Sequence, residues 1–299
     1  MKNLTYRVAD FPFVIILPND VNANTLLPSF REFSSQLAPD EKPLFTFEVT
    51  IADAPTPLAT PTNAQLKEDL CNDFGLIGIY TSPHGWFITV GPDSHSHASH
   101  MTINNTMTHA CATLQPTPQH LSWMLTSMLH ILFSQAIIEH QSILLHASVI
   151  TLHGQAVLFM GKSGTGKSTH SQLWLKEYAD AQLLNDDNPV VRLHPDGSAT
   201  AYGTPWSGKT PCWRNASAHV AAMVRLAQSP VNRYTPLSEI EAFTAILPGC
   251  SVMRHSTVHH DLICTTAATL ATTVPIARME CLPNADAAKT CHNAIFHNK

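Results

Sequence analysis

The sequence predicts an α/β fold with a β-rich α+β region in front of it. Three observations lead there. An apolar run at 156–160 leads into G-x-x-x-x-G-K-S at 161–168, and a helical stretch follows. Strand-like and helix-like segments succeed one another from Gln141 onward. Residues 1–115 carry strand and turn signals but no catalytic motif. The expected division is therefore an N-terminal β-rich domain, 1–115, and a nucleotide-type domain, 116–299.

Each element has its own signal. The apolar run at 11–17 reads as a buried strand; it has no basic flank or small-residue cleavage site that would make it a signal peptide. A strand is expected at 45–51. In "LIGIYTSPHGWFITVGP", Ile77 and Ile79 alternate before a Ser82-Pro83-His84-Gly85 turn, and 86–90 return as the second strand of a hairpin. "IADAPTPLATPTN" and "PDSHSHASHM" read as loops. Residues 122–140 form one amphipathic helix, with Leu125, Met128, Leu129, Leu132, Ala136 and Ile137 on one face. Thr126, Ser127, His130, Ser134 and Gln135 interrupt it too often for a membrane span.

The second half is denser. One strand is expected at 143–151, a turn at His153-Gly154, a strand at 156–160 and a helix from the loop to about Tyr178. "LLNDDNPVVRLHPDGSATAYG" gives a strand, an acidic bend, a strand, a Pro195-Asp196-Gly197 turn and a return strand. Ser238-x-x-Glu241 is a capping box, and Pro248-Gly249 stops the helix it opens. A helix follows at 257–273, then "IARMECL" alternates as a half-buried strand, and Asn284 caps a closing helix.

Composition narrows the function. The chain has 299 residues, 44% hydrophobic and 13% charged, which suits a folded protein with a sizeable core. A net charge of −5 and the lack of a basic run make nucleic acid a poor partner, and no segment suggests a membrane. Seven cysteines without a C-x-x-C pattern point to a reducing cytoplasm rather than a disulfide framework.

The loop carries the chemistry. Gly161, Ser163, Gly164, Thr165 and Gly166 let successive backbone N–H groups converge on a phosphate. The helix that follows, starting near Ser168 and Thr169, aims its positive end at the same anion. Lys167 can neutralise β and γ oxygens, and the Ser168 hydroxyl can ligate Mg²⁺. A carboxylate for the metal is supplied by Asp186 or Asp187. Adjacent side chains on an extended segment point apart, so one can hold the cation while the other faces an attacking hydroxyl. Two neighbouring carboxylates also raise each other's pKa, which suits a base.

"GKSGTGKST", with "LLHASVI" before it and "LLNDD" after it, resembles the HPr kinase/phosphorylase and PEP carboxykinase superfamily. "YGTPWSGK" is similar to a motif of small HPr-kinase-like proteins. The resemblance covers about 143–209 and implies a mixed sheet around the loop, ATP and Mg²⁺ as cofactors, and transfer to a serine-like hydroxyl. It implies Asp187 as base, with Asp186 bearing on His146 or the metal, or the two exchanged. His146 matches the histidine on the strand before the loop. The relatives assemble, so a homo-oligomer is implied as well. The substrate-docking loop of HPr kinases is absent, which points to a small molecule or peptide as acceptor.

Other constellations are weaker. In "GTPWSGKTPCWRN", Lys209 is the first candidate for the γ-phosphate or the acceptor, beside Trp206, Trp213 and Arg214. Arg254 and Arg278 are candidate phosphate clamps. His95, His97 and His100, and the His259-His260 pair, lack metal-ligand spacing. Two rivals share the loop: a nucleotide-binding regulatory module without transfer, and a PEP-carboxykinase-like enzyme.

Overall fold

A computed structural model describes the chain except for residues 55–57, 59, 73–74, 92–97, 117–119, 209, 254 and 298–299. It is a mixed α/β protein with two compact units, Met1–Ile137 and Ile138–Lys299.

The first unit is a mixed sheet. Strands β1 (Lys2–Val8) and β2 (Phe11–Leu17) form a hairpin whose turn residues, Ala9 and Asp10, both have positive φ. After a short helix α1 (Ala23–Leu26), β3 (Thr46–Ile51) runs parallel to β2. The antiparallel strands β4 (Gln65–Asn72), β5 (Gly75–Ser82), β6 (Gly85–Gly91), β7 (Ser99–Asn104) and β8 (His109–Leu114) follow. The order is β1-β2-β3-β8-β7-β6-β5-β4. Helix α2 (Leu121–Ala136) lies against β6, β7 and β8. Met124, Leu125, Met128, Leu129, Leu132 and Phe133 are buried there, each contributing about 1.5–3 kcal/mol.

That packing explains why the compact units divide at 137/138 and not at 115/116: the apolar stripe of α2 belongs to the first sheet. The helix also stops earlier than its pattern suggests. Residues Ile138–His140 tighten into a 3₁₀ turn. Ser99 to Met101, expected in a polar loop, sit on β7, while His95 and His97 lie outside the described residues.

The second unit has three layers. Its strands are β9 (Ser142–Leu144), β10 (Ala147–Leu152), β11 (Gln155–Met160), β12 (Gln182–Asp187), β13 (Val190–Leu193), β14 (Ala199–Tyr202), β15 (Ser217–Gln228), β16 (Arg233–Pro236) and β17 (Ile276–Cys281). The main path is β12-β10-β11-β15-β14-β13-β9, and β17 lies between β15 and β16. Strands β11, β15 and β17 are mutually parallel neighbours. Alternation sends Val149, Leu158 and Met223 to one face, under α4 (Glu239–Ile246) and α5 (Thr257–Thr273). It sends Ile150, Val157, Phe159 and Val224 to the other, under α3 (Lys167–Glu177) and α6 (Ala285–Phe296). Because β11 is covered on both faces, it reads as an unbroken apolar run in the sequence. The capping box of α4 is formed, and Asn284 caps α6 through the Ala287 N–H.

The strand expected at 143–151 is two strands. β9 pairs with β13, whereas β10 pairs with β11 and β12. Leu145 and His146 form the break, and their N–H groups are taken by Pro189 O (3.0 Å) and Gly249 O (2.8 Å). The histidine is thereby freed from the ladder.

Candidate functional site

The site begins where β11 ends. Gly161, Gly164 and Gly166 all have positive φ, at 149°, 81° and 101°. A Cβ at Gly164 or Gly166 would meet nothing within 4 Å, so backbone conformation, not crowding, requires glycine there. The loop is closed by Thr165, whose N–H and hydroxyl both donate to Lys162 O (3.2 and 2.8 Å). Gln228, at the end of β15, donates to Gly164 O from Nε2 (3.1 Å). Ser163 and Gly164 are exposed on the loop, as Ser168 and Thr169 are on the first turn of α3.

Lys167 turns back under the loop. Its Nζ donates to Gly161 O (3.0 Å) and lies 2.7 Å from His146 Nε2. An ammonium has no acceptor, so Nε2 accepts and Nδ1 carries the imidazole proton. Nδ1 then donates to Asp187 Oδ1, 3.0 Å away. The other oxygen, Oδ2, accepts from Asn188 Nδ2 (2.7 Å). Beside this chain, the Ser168 hydroxyl donates to Asp186 Oδ1 (3.0 Å). The two acids therefore do point apart: Asp186 toward Ser168, Asp187 toward His146. The alternative pairing of His146 with Asp186 is not the one formed.

Burial lowers the Lys167 pKa, against the opposing charges of Asp187 and Asp186. Burial pushes the Asp187 pKa up, but the hydrogen bond from His146, the charge of Lys167 and the Asn188 contact outweigh it, so the net shift is downward. The expected elevation is thus overturned at Asp187: two donors and a cation outweigh burial, the one effect that raises it.

The backbone at Asp187 has φ 124°, a region costly for a residue with a side chain, by about 1–3 kcal/mol. It is held there by a bridge to Ser207 and by the Gly208 N–H bonded to Asp186 O (2.5 Å). Behind the pair, the fully buried Asn185 donates from Nδ2 to Thr204 Oγ1 and Trp206 O (both 3.1 Å) and accepts the Asn188 N–H (2.9 Å). Thr204 in turn donates to Asn188 O (2.7 Å). "GTPW" is therefore a buttress for the acidic bend, and Trp206 is buried within it.

Of the remaining candidates, Lys209 and Arg254 lie outside the described residues. Arg214 bonds Gln182 Oε1 (2.7 Å) at the far end of β12, away from the acids, and Trp213 is exposed. Arg278 lines a cleft beside the loop together with Arg225. Asn185, Asn188, Gln228 and Arg225 were not singled out from sequence. The amides flanking "DD" were the available signal; Gln228 and Arg225 are remote in sequence and had none.

The donors suit a hard cation: Ser168 Oγ and Asp186 Oδ1 are oxygens at one edge of the loop. Among the described residues, no group of three or more His, Cys, Asp or Glu side chains is placed to hold a metal by itself. No helix among them is long and apolar enough to cross a membrane.

No known family pattern matches the chain, and no curated protein does. Among solved structures, the Hpr(Ser) kinase/phosphatase from Coxiella burnetii aligns with 50% of this chain and 95% of its own. The identity is 13% and the TM-score 0.28, a likeness too slight to carry an argument.

Proposed function

We propose that the chain is an ATP- and Mg²⁺-dependent phosphotransferase of HPr-kinase-like type, moving the γ-phosphoryl group to a serine-like hydroxyl on a small molecule or peptide. The observation that carries this reading is one unbroken run of contacts, Gly161 O to Lys167 to His146 to Asp187. It joins an anion-receptive loop to a carboxylate held in a strained backbone.

The loop's N–H groups and Lys167 bind the phosphates. Ser168 and Asp186 would hold Mg²⁺, which when bound neutralises phosphate oxygens. As Lys167 turns from His146 to the nucleotide, its charge is spent on phosphate, and Asp187 regains basicity. Asp187 takes the proton of the acceptor hydroxyl, and that oxygen bonds to the γ-phosphorus as the bond to ADP breaks. His146 keeps the carboxylate oriented through Nδ1–H.

The test is Asp187→Asn, assayed for ADP release across a panel of hydroxyl acceptors. The expected loss in turnover is about 10²- to 10⁴-fold, the range of a positioned base, with nucleotide affinity nearly unchanged. Equal turnover in variant and wild type would remove Asp187 from the reaction.

A further inference from the structure

Register places five residues in one row across the second sheet: Asp187, Ala147, Met160, Arg225 and Arg278. The acid stands at one end and the arginines at the other. The glycine loop leaves the middle, directly after Met160. Two like charges paired across adjacent strands repel, so an apo protein gains nothing from this pair. Both arginines are exposed.

They line one cleft of about 370 Å³, completed by Gly161, Lys162 and Thr165 of the loop and by Glu241 and Thr244 of α4. The charged residues on its wall are Lys162, Arg225, Arg278 and Glu241, three positive and one negative, hence a net +2. Glu241 is occupied in its capping box, where Oε2 accepts from the Ser238 N–H and hydroxyl (2.9 and 2.7 Å). Arg278 pairs with Glu280 Oε1 at 3.5 Å, a long contact, while Oε2 of the same carboxylate accepts from Arg233 Nε (2.9 Å). That balance of +2, with the two arginines offering planar forks and Lys162 a third cation, matches the −1.5 to −2 of a phosphate monoester.

We propose that this cleft binds the phosphate group of a second small molecule, distinct from the nucleotide on the loop. Strand spacing puts the Arg225 backbone about 14 Å from that of Asp187 along the row. The site goes beyond the phosphotransfer reading: it uses no residue of the acid pair and shares with the loop only its border at Gly161, Lys162 and Thr165.

The probe is glycerol phosphate, titrated calorimetrically into the full chain, with and without saturating MgADP. Binding is expected in both conditions. Arg225→Gln and Arg278→Gln should each weaken it about 10-fold or more, as loss of a charged fork predicts. Arg225→Lys should weaken it less. MgADP affinity should move less than about 3-fold, and Tm should stay level or rise as the like-charge pair is relieved. The proposal is overturned if wild type does not bind the probe, if the arginine variants bind it equally well, or if MgADP competes with it. Competition would assign the cleft to the nucleotide's own tail. Failure of the loop reading looks different: no MgADP binding, with the arginine-dependent probe binding intact.

Discussion

At the residue scale, the account rests on what Lys167 does. In the free protein its ammonium is buried against His146 and two backbone carbonyls, and burial depresses its pKa below the ordinary 10.5. A bound phosphate favours the charged form and reverses that depression. Nucleotide binding at alkaline pH should therefore take up protons. Titrating MgADP at a series of alkaline pH values below 10.5, in buffers of different ionisation enthalpy, measures this. A net uptake that disappears in Lys167→Ala is expected; a pH-independent, proton-neutral enthalpy would contradict the role given to Lys167. Lys167, Ser168, Asp186, Asp187 and His146, which the fold brings together, each belong to a motif whose spacing is visible in the sequence. Their partners were not. Asn185 and Thr204 act through a fold that brings the acidic bend against "GTPW", and nothing local announces that contact.

At the element scale, α3 ties the loop to the core. The Ser171 hydroxyl lies 2.7 Å from that of Ser148 on β10, and Trp174 is fully buried. His170 stands edge-on to Phe159 at 4.6 Å, its Nε2 buried and without a hydrogen-bond partner. Burial lowers its pKa from 6.5 to about 4. The fold thus keeps it neutral, while the unfolded chain protonates near 6.5. Stability is fully present above that pH and falls as pH drops toward 4, by about 3 kcal/mol. Denaturant unfolding of wild type and His170→Phe between pH 7 and 4 checks this. The variant should lose less stability over the interval, and parallel curves would show that other groups govern the acid limb.

Helices α4 and α6 announce themselves by caps that are local in sequence. The break at Leu145-His146 does not, because it reflects a change of pairing partner from β13 to β10's neighbours. β15 has no local strand signal. "SAHVAAMVRLAQ" is rich in small residues, and its strand character comes from three flanking strands, β11, β14 and β17.

At the scale of the whole molecule, the chain forms two compact units, Met1–Ile137 and Ile138–Lys299. The prolines of "LQPTPQH" suggest a boundary near 115, yet α2 buries its stripe on the first sheet. Everything proposed for function lies in the second unit, where the C-terminal ends of β11, β15 and β17 come together beside the loop. Sheets with parallel strands bind ligands at that edge. The glycine loop, the acid pair and the arginine cleft are three parts of it, and the loop is the part on which the phosphotransfer reading depends.

The most direct measurement is a calorimetric titration of the full chain with MgATP, wild type against Lys167→Ala. The account predicts saturable one-to-one binding by wild type, weakened about 10- to 100-fold by removing the ammonium. Identical affinities, or a wild-type chain that takes up no nucleotide, would contradict it.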